Sequence, residues 1–180
     1  MPDRRLSLEV HGRVSFVLVR PHYPENVGAC ARAMKTMGFS ELVLVKPGRL
    51  AVPEHEMAFK MAVRSWDVLH SARRCSTLAE AVSGAARVFA TTSRRGVSGV
   101  LTAREAARDI VAGAGRGERV AILFGNEKTG LSDEEKALAQ EALRIPMVAD
   151  QPSVNLAQAV QLVAYELLIA GLEARDRRGP

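Results

Sequence analysis

The sequence predicts an α/β fold: a mostly parallel sheet with helices on both faces. Two observations carry that expectation. Short runs dense in Val, Leu, Ile and Phe recur along the chain, nearly unbroken by polar residues, as strands covered on both sides require. Between them lie segments with helical patterning, and such alternation is the signature of crossover connections in a parallel sheet. With 180 residues, 47% hydrophobic and 25% charged, the chain reads as one globular domain with a substantial apolar core.

Taken in order, Val14–Val19 is the first strand, bounded by a helix predicted over 25–37 and closed by Gly38. A strand at 42–45 follows, then a helix over 53–69 and another at 78–83. Arg87–Thr91 is a strand, 102–111 a helix and Val120–Phe124 a strand. Ser132 and Glu135 have the spacing of a capping box and open the next helix; a short strand is expected at 143–146. The last helix, 155–175, is apolar nearly all round, so burying it calls for a covering on nearly every side, which suggests a second subunit. No repeat, low-complexity tract or linker interrupts the pattern.

Composition narrows the functional classes. No apolar run approaches the ~20 residues of a membrane span, and the charged start Met1-Pro2-Asp3-Arg4-Arg5 lacks the apolar stretch of a secretory signal. A cytoplasmic protein without a membrane role is expected. Two cysteines, Cys30 and Cys75, and four scattered histidines give neither a disulfide framework nor a metal site. The net charge of +5 permits a polyanionic partner. Arginine doublets stand at 4–5, 73–74, 94–95 and 177–178, while aromatics make up only 4%. Recognition of RNA would then lean on phosphate contacts and shape more than on stacked bases.

The chemistry concentrates in three blocks. Pro24-Glu25-Asn26-Val27-Gly28-Ala29-Cys30-Ala31-Arg32 comes first. Phe124-Gly125-Asn126-Glu127-Lys128-Thr129-Gly130-Leu131-Ser132 follows much later, and Ile145-Pro146-Met147 with Ser153-Val154-Asn155-Leu156 completes the set. Gly125 and Gly130 have the spacing of a phosphate loop, but Leu131 stands where that loop needs lysine, and no GxGxxG follows a strand. Triphosphate and dinucleotide sites are therefore unsupported. Singly, Asn26 and Asn155 also read as helix caps, Glu127 and Ser153 as turn residues, and Arg32 as a solvated helix arginine.

Jointly and in this order, the blocks resemble the three motifs of the SPOUT superfamily, in its SpoU/TrmH branch of RNA ribose 2′-O-methyltransferases. The resemblance implies S-adenosylmethionine as cofactor, RNA as partner, a homodimer sharing its sites across the interface, and a C-terminal trefoil knot in which the segment through Ser153 threads a loop. It assigns Thr91, Gly125, Ile145, Met147, Ser153 and Leu156 to the cofactor. Arg32 becomes the catalytic residue, with Asn26, Glu127, Ser153 and Asn155 holding the reactants in register. Arg32, Arg94 and Arg95 are candidates for RNA contact, with Arg175, Arg177 and Arg178 as further phosphate candidates. A general-base role sits badly with an arginine pKa above ~12; a cation that binds phosphate and steadies developing alkoxide charge is easier. Within the branch the motifs look most like the TrmJ type, which methylates a pyrimidine ribose at tRNA position 32 in the anticodon loop. Asn126 and Lys128 depart from the arginines often found there, and the chain reaches Pro180 without the helical extension usual in that type. Ribosomal RNA as substrate, and a non-catalytic RNA-binding role, are the alternatives.

Overall fold

The computed structural model describes residues 6–94, 96–148 and 153–179. Seven parallel strands form one sheet in the order β3-β2-β1-β6-β4-β7-β5. They are β1 Val14–Val19, β2 Glu41–Val45, β3 Arg73–Cys75, β4 Arg87–Thr91, β5 Val100–Thr102, β6 Val120–Phe124 and β7 Glu141–Arg144. The helices are α1 Pro24–Thr36, α2 Glu56–Ala62, α3 Trp66–His70, α4 Leu78–Val82, α5 Ala103–Gly115, α6 Asp133–Lys136 and α7 Leu156–Arg178, and a 3-10 turn, Glu9–Gly12, precedes β1.

Alternate residues of the central strands feed two cores. Val14, Phe16 and Leu18 of β1, with Leu42, Leu44, Phe89, Ile122 and Phe124, pack under α1, α2, α3, α5 and α7. Val17, Val19, Val43, Val45, Ala121 and Leu123 face the other way, under α4 and Leu131. Period-two side-chain alternation thus divides continuous apolar runs between two layers. Coverage is unequal among the described residues: one face carries the 13- and 23-residue helices, the other helices of five and four residues.

Three expectations need correction. The helix over 53–69 is two helices, parted where Val63 (φ 26°) and Arg64 (φ 59°) turn left-handed. The strand expected at 143–146 lies two residues earlier, as Glu141–Arg144, paired with β4 and β5; Pro146 has no N–H to donate to a ladder. The two edge strands, β3 and β5, were not expected at all. In addition, α7 is long and apolar enough by length and composition to cross a membrane, with a mean hydropathy of 1.3 over its most apolar stretch. It packs against α1 and α5, and Glu166 in its middle pairs with Arg104 of α5 at 3.0 Å, so it serves as a core helix here. Leu162 and Tyr165 on its outer side are exposed.

Candidate functional site

A cavity of about 480 Å³ opens beyond the carboxyl ends of β4, β6 and β7. The carboxyl ends of the strands are where parallel α/β folds take ligands, and the volume is that of a small-molecule site. Thr91 closes one wall at the end of β4, its hydroxyl donating to the Leu123 carbonyl at 2.8 Å. Leu143, Ile145 and Met147 from the end of β7, with Leu156 and Ala159 of α7, make an apolar slot.

The turn after β6 is held tightly. The Asn126 side-chain oxygen accepts from Lys128 N at 2.8 Å and Thr129 N at 3.3 Å, and its amide donates to the Arg20 carbonyl. Gly130 N returns to Asn126 O at 2.8 Å, with Gly130 at φ 67°. Gly125 has no alternative: a Cβ there would stand 2.4 Å from the backbone of Gly130 and Leu131. Arg20 clamps the turn from outside. Its Nε lies 2.7 Å from Glu135 Oε1 and its Nη2 3.2 Å from Gly130 O. That guanidinium, with the Ser132 backbone N–H, holds the Glu135 carboxyl below its usual range against the opposing effect of burial.

Glu127 turns inward to the start of α1. One oxygen accepts from His22 N at 2.8 Å; the other takes Tyr23 N at 3.2 Å and the Asn26 side-chain amide at 2.9 Å. Tyr23, the N-cap, offers no side-chain acceptor, so a carboxylate from a residue more than a hundred positions away serves the entry to that helix and complements its dipole. The Asn26 oxygen accepts from the Asn155 amide at 3.0 Å. The Asn155 oxygen in turn caps α7 through Ala157 N (2.9 Å) and Gln158 N (3.3 Å). One hydrogen-bonded chain therefore joins all three sequence blocks, and two helix N-termini converge on the cavity. The cap readings of Asn155 and the motif readings hold together: capping is how these residues are fixed in place. Beneath the network, Cys30 is fully buried, and burial with the nearby Glu127 charge pushes its thiol up, away from the reactive thiolate.

Asn26, Thr91, Gly125, Glu127, Ile145, Met147, Ser153, Asn155 and Leu156 thus all line one cavity. Arg32 does not. It is exposed on α1, six residues and about 240° of helix rotation beyond Asn26, and its guanidinium has no hydrogen bond or ion pair among the described residues. Arg94 is exposed near Asp133, at 3.6 Å, outside the cavity lining; Arg95 lies outside the described residues. Sequence reasoning missed Tyr23, whose ring lines the mouth with Lys128 Nζ 5.8 Å from its centroid, and Arg20, whose partner is 115 positions away. Among the described residues no group of three His, Cys, Asp or Glu could hold a metal ion.

A parallel α/β domain with a strand-edge cavity built from three distant segments is the class defined by this geometry. The SpoU rRNA Methylase family matches residues 13–165, and the chain belongs to that family. It is 39% identical over 167 residues to the tRNA (cytidine/uridine/adenosine-2′-O-)-methyltransferase TrmJ of Pseudomonas aeruginosa, covering 92% of this chain and 64% of that protein; this chain spans just under two-thirds of that relative. A crystal structure of a Probable Methyltransferase from Bordetella pertussis Tohama I superposes with a TM-score of 0.86 at 37% identity, covering 90% of this chain and 98% of that one. A third relative, a solved structure described as bearing on 2-OH methylation of C/U34 on tRNA, aligns with a TM-score of 0.67 at 30% identity over 89% of this chain and 97% of that one.

Proposed function

We propose that this chain is an S-adenosylmethionine-dependent RNA methyltransferase acting on a ribose 2′-hydroxyl, with a pyrimidine of the tRNA anticodon loop, position 32, as its acceptor. The observation that carries this reading is the hydrogen-bonded union of Glu127, Asn26 and Asn155 around a cavity of cofactor size. The cavity fits the cofactor. Leu143, Ile145, Met147 and Leu156 offer an adenine its apolar slot, Thr91 and Ser153 stand at polar edges, and the α7 N-terminus, with no acidic residue in its first turn, favours a carboxylate. When bound, S-adenosylmethionine supplies a methyl group already activated on a sulfonium.

The chain's own work is then to aim a weakly acidic hydroxyl at that methyl and let its proton leave. Asn26, Glu127 and Asn155 keep the cavity mouth rigid. Arg32 supplies positive charge for the adjacent phosphate and the developing alkoxide. Because Arg32 stands outside its own cavity, we assign it to the acceptor held at a second subunit, in a homodimer closed over the exposed Leu162 and Tyr165 of α7. The family's trefoil knot and a cytoplasmic location belong to the same reading. The names of the relatives, one on cytidine, uridine and adenosine of tRNA and one on C/U34, support tRNA.

Incubation with S-adenosylmethionine and unmodified tRNA or ribosomal RNA, followed by mapping of 2′-O-methyl sites by mass spectrometry, tests the proposal. A single anticodon-loop site is expected. Methylation of ribosomal RNA alone would replace the substrate and keep the mechanism; RNA binding with neither methylation nor cofactor binding would make this a non-catalytic member.

A further inference from the structure

The α2–α3 pair carries a surface that the cavity does not use. Phe59, Met61, Val63 and Trp66 are all exposed there, Phe59 at 44% and Trp66 at 40%. The rings of Phe59 and Trp66 lie 4.9 Å apart and within 6° of parallel, and His70 extends the stack on Phe59 at 6.3 Å and 21°. Trp66 Nε1 donates to the Phe59 carbonyl at 3.1 Å, fixing the indole in place. The turn between the helices is strained: a left-handed φ is rare for arginine and a true outlier for the β-branched Val63.

Charge surrounds the rings. Lys35 of α1 reaches across to the Arg64 carbonyl at 3.1 Å and to Asp67 at 2.7 Å, and Lys60 pairs with Glu56. Arg32 is one turn before Lys35 on the same face of α1. With those acids already engaged, Arg32 and Arg64 have no ion-pair partner among the described residues. Flat aromatic faces on a helix pair that also carries the uncompensated Arg64, packed against the helix that carries Arg32, suit an unpaired nucleic-acid strand, whose bases stack while its phosphates pair. A second copy of the chain would bring the same positive charge to this surface, whereas the outer side of α7 offers an apolar contact of its own.

We propose that the α2–α3 surface docks an unpaired segment of the substrate RNA, one base stacking on Trp66 and its flanking phosphates held by Arg64 and Arg32. This rests on the RNA methyltransferase reading and adds the place where the RNA is gripped.

Trp66 is the only tryptophan in the chain, so its emission reports directly. Titration of the full chain with an unmodified tRNA transcript is expected to quench it saturably, with the same midpoint as binding, as stacking of a base on the indole would. Heparin, a polyanion without bases, is expected to bind without that quenching. Trp66→Leu is expected to weaken tRNA binding about ten-fold in a filter assay. Arg64→Asn, which keeps a residue tolerant of the left-handed turn, is expected to weaken it several-fold and to flatten its salt dependence. Cofactor affinity should not move in either variant. Unaltered tRNA affinity in Trp66→Leu, or tRNA bound with no change in emission, would overturn the docking surface while the wild type still methylates. A changed sedimentation mass in Trp66→Leu would reassign the surface to subunit contact and overturn it as well. No binding and no methylation of any RNA by the wild type would instead reject the methyltransferase reading.

Discussion

The first turn of α1 and its third turn are built for different work. At the first, Asn26 has both ends of its amide engaged, with Glu127 at 2.9 Å and Asn155 at 3.0 Å, and Glu127 accepts from two backbone N–H groups besides. About 9 Å further along the axis, Arg32 is exposed and its guanidinium is unpaired among the described residues. A side chain whose hydrogen-bonding groups are already engaged at both ends by the fold can hold geometry but has less left for a substrate. A cation with none consumed is free to meet one. Both ends carry motif residues; in the proposed reading the motif mixes positioning groups at one end with a reacting cation at the other.

The largest effect is expected where α1 itself is made to move. A Cβ at Gly28 would stand 2.0 Å from the Ala58 carbonyl; Gly28→Ala should force α1 from α2 and destabilise the chain by about 3 kcal/mol, read as a fall in denaturant midpoint. A midpoint within error of wild type would mean that the helices are not so closely fixed. Next comes the assignment of the free end to a second subunit. Arg32→Ala and Gly125→Ala subunits, each inactive alone, should recover about a quarter of wild-type activity when mixed equally, since half the dimers then hold one intact site. Absence of recovery rejects the shared site. At the locked end, Glu127→Ala strips three donors of their acceptor and should cost about 1–2 kcal/mol, partly offset by water at this open position. Glu127→Gln, which keeps an acceptor oxygen, should cost less; equal losses would show that charge at the helix terminus, not the hydrogen bonds, matters.

The smallest effect lies in the clamp behind the site. Glu135 has its folded pKa depressed from 4.5, first by Arg20. Its contribution is therefore full above the unfolded value and lost as pH falls through the folded one. Glu135→Gln should lower stability by about 0.5–1 kcal/mol at neutral pH, and the gap should close as the solution is acidified below 4.5. A gap constant with pH would show that the ion pair contributes nothing.

What the sequence made legible follows from what each residue had to satisfy alone. β1, β4 and β6 could be read because strands buried on both faces must be apolar throughout. β3, with Arg73 and Arg74 exposed, and β5 are three-residue edge strands without such a demand. The break at Val63 and Arg64 was invisible because neither glycine nor proline marks it; contacts such as Lys35 to the Arg64 carbonyl hold it. In the site, nine of the residues that the family resemblance implied line one cavity, because they lie on the strand ends, helix starts and connecting turns around it. The resemblance could not place Arg32, whose part depends on which face of α1 it occupies. Nor could it find the Arg20–Glu135 clamp, an ordinary ion pair between distant positions.

The division of labour along α1 is tested most directly by measuring cofactor affinity and single-turnover methyl transfer side by side in Arg32→Ala. Cofactor affinity is expected within about two-fold of wild type and transfer slower by about 100-fold or more, the scale of a lost charge-stabilising group. Transfer at the wild-type rate, or a loss of rate matched by an equal loss of cofactor affinity, would contradict that division.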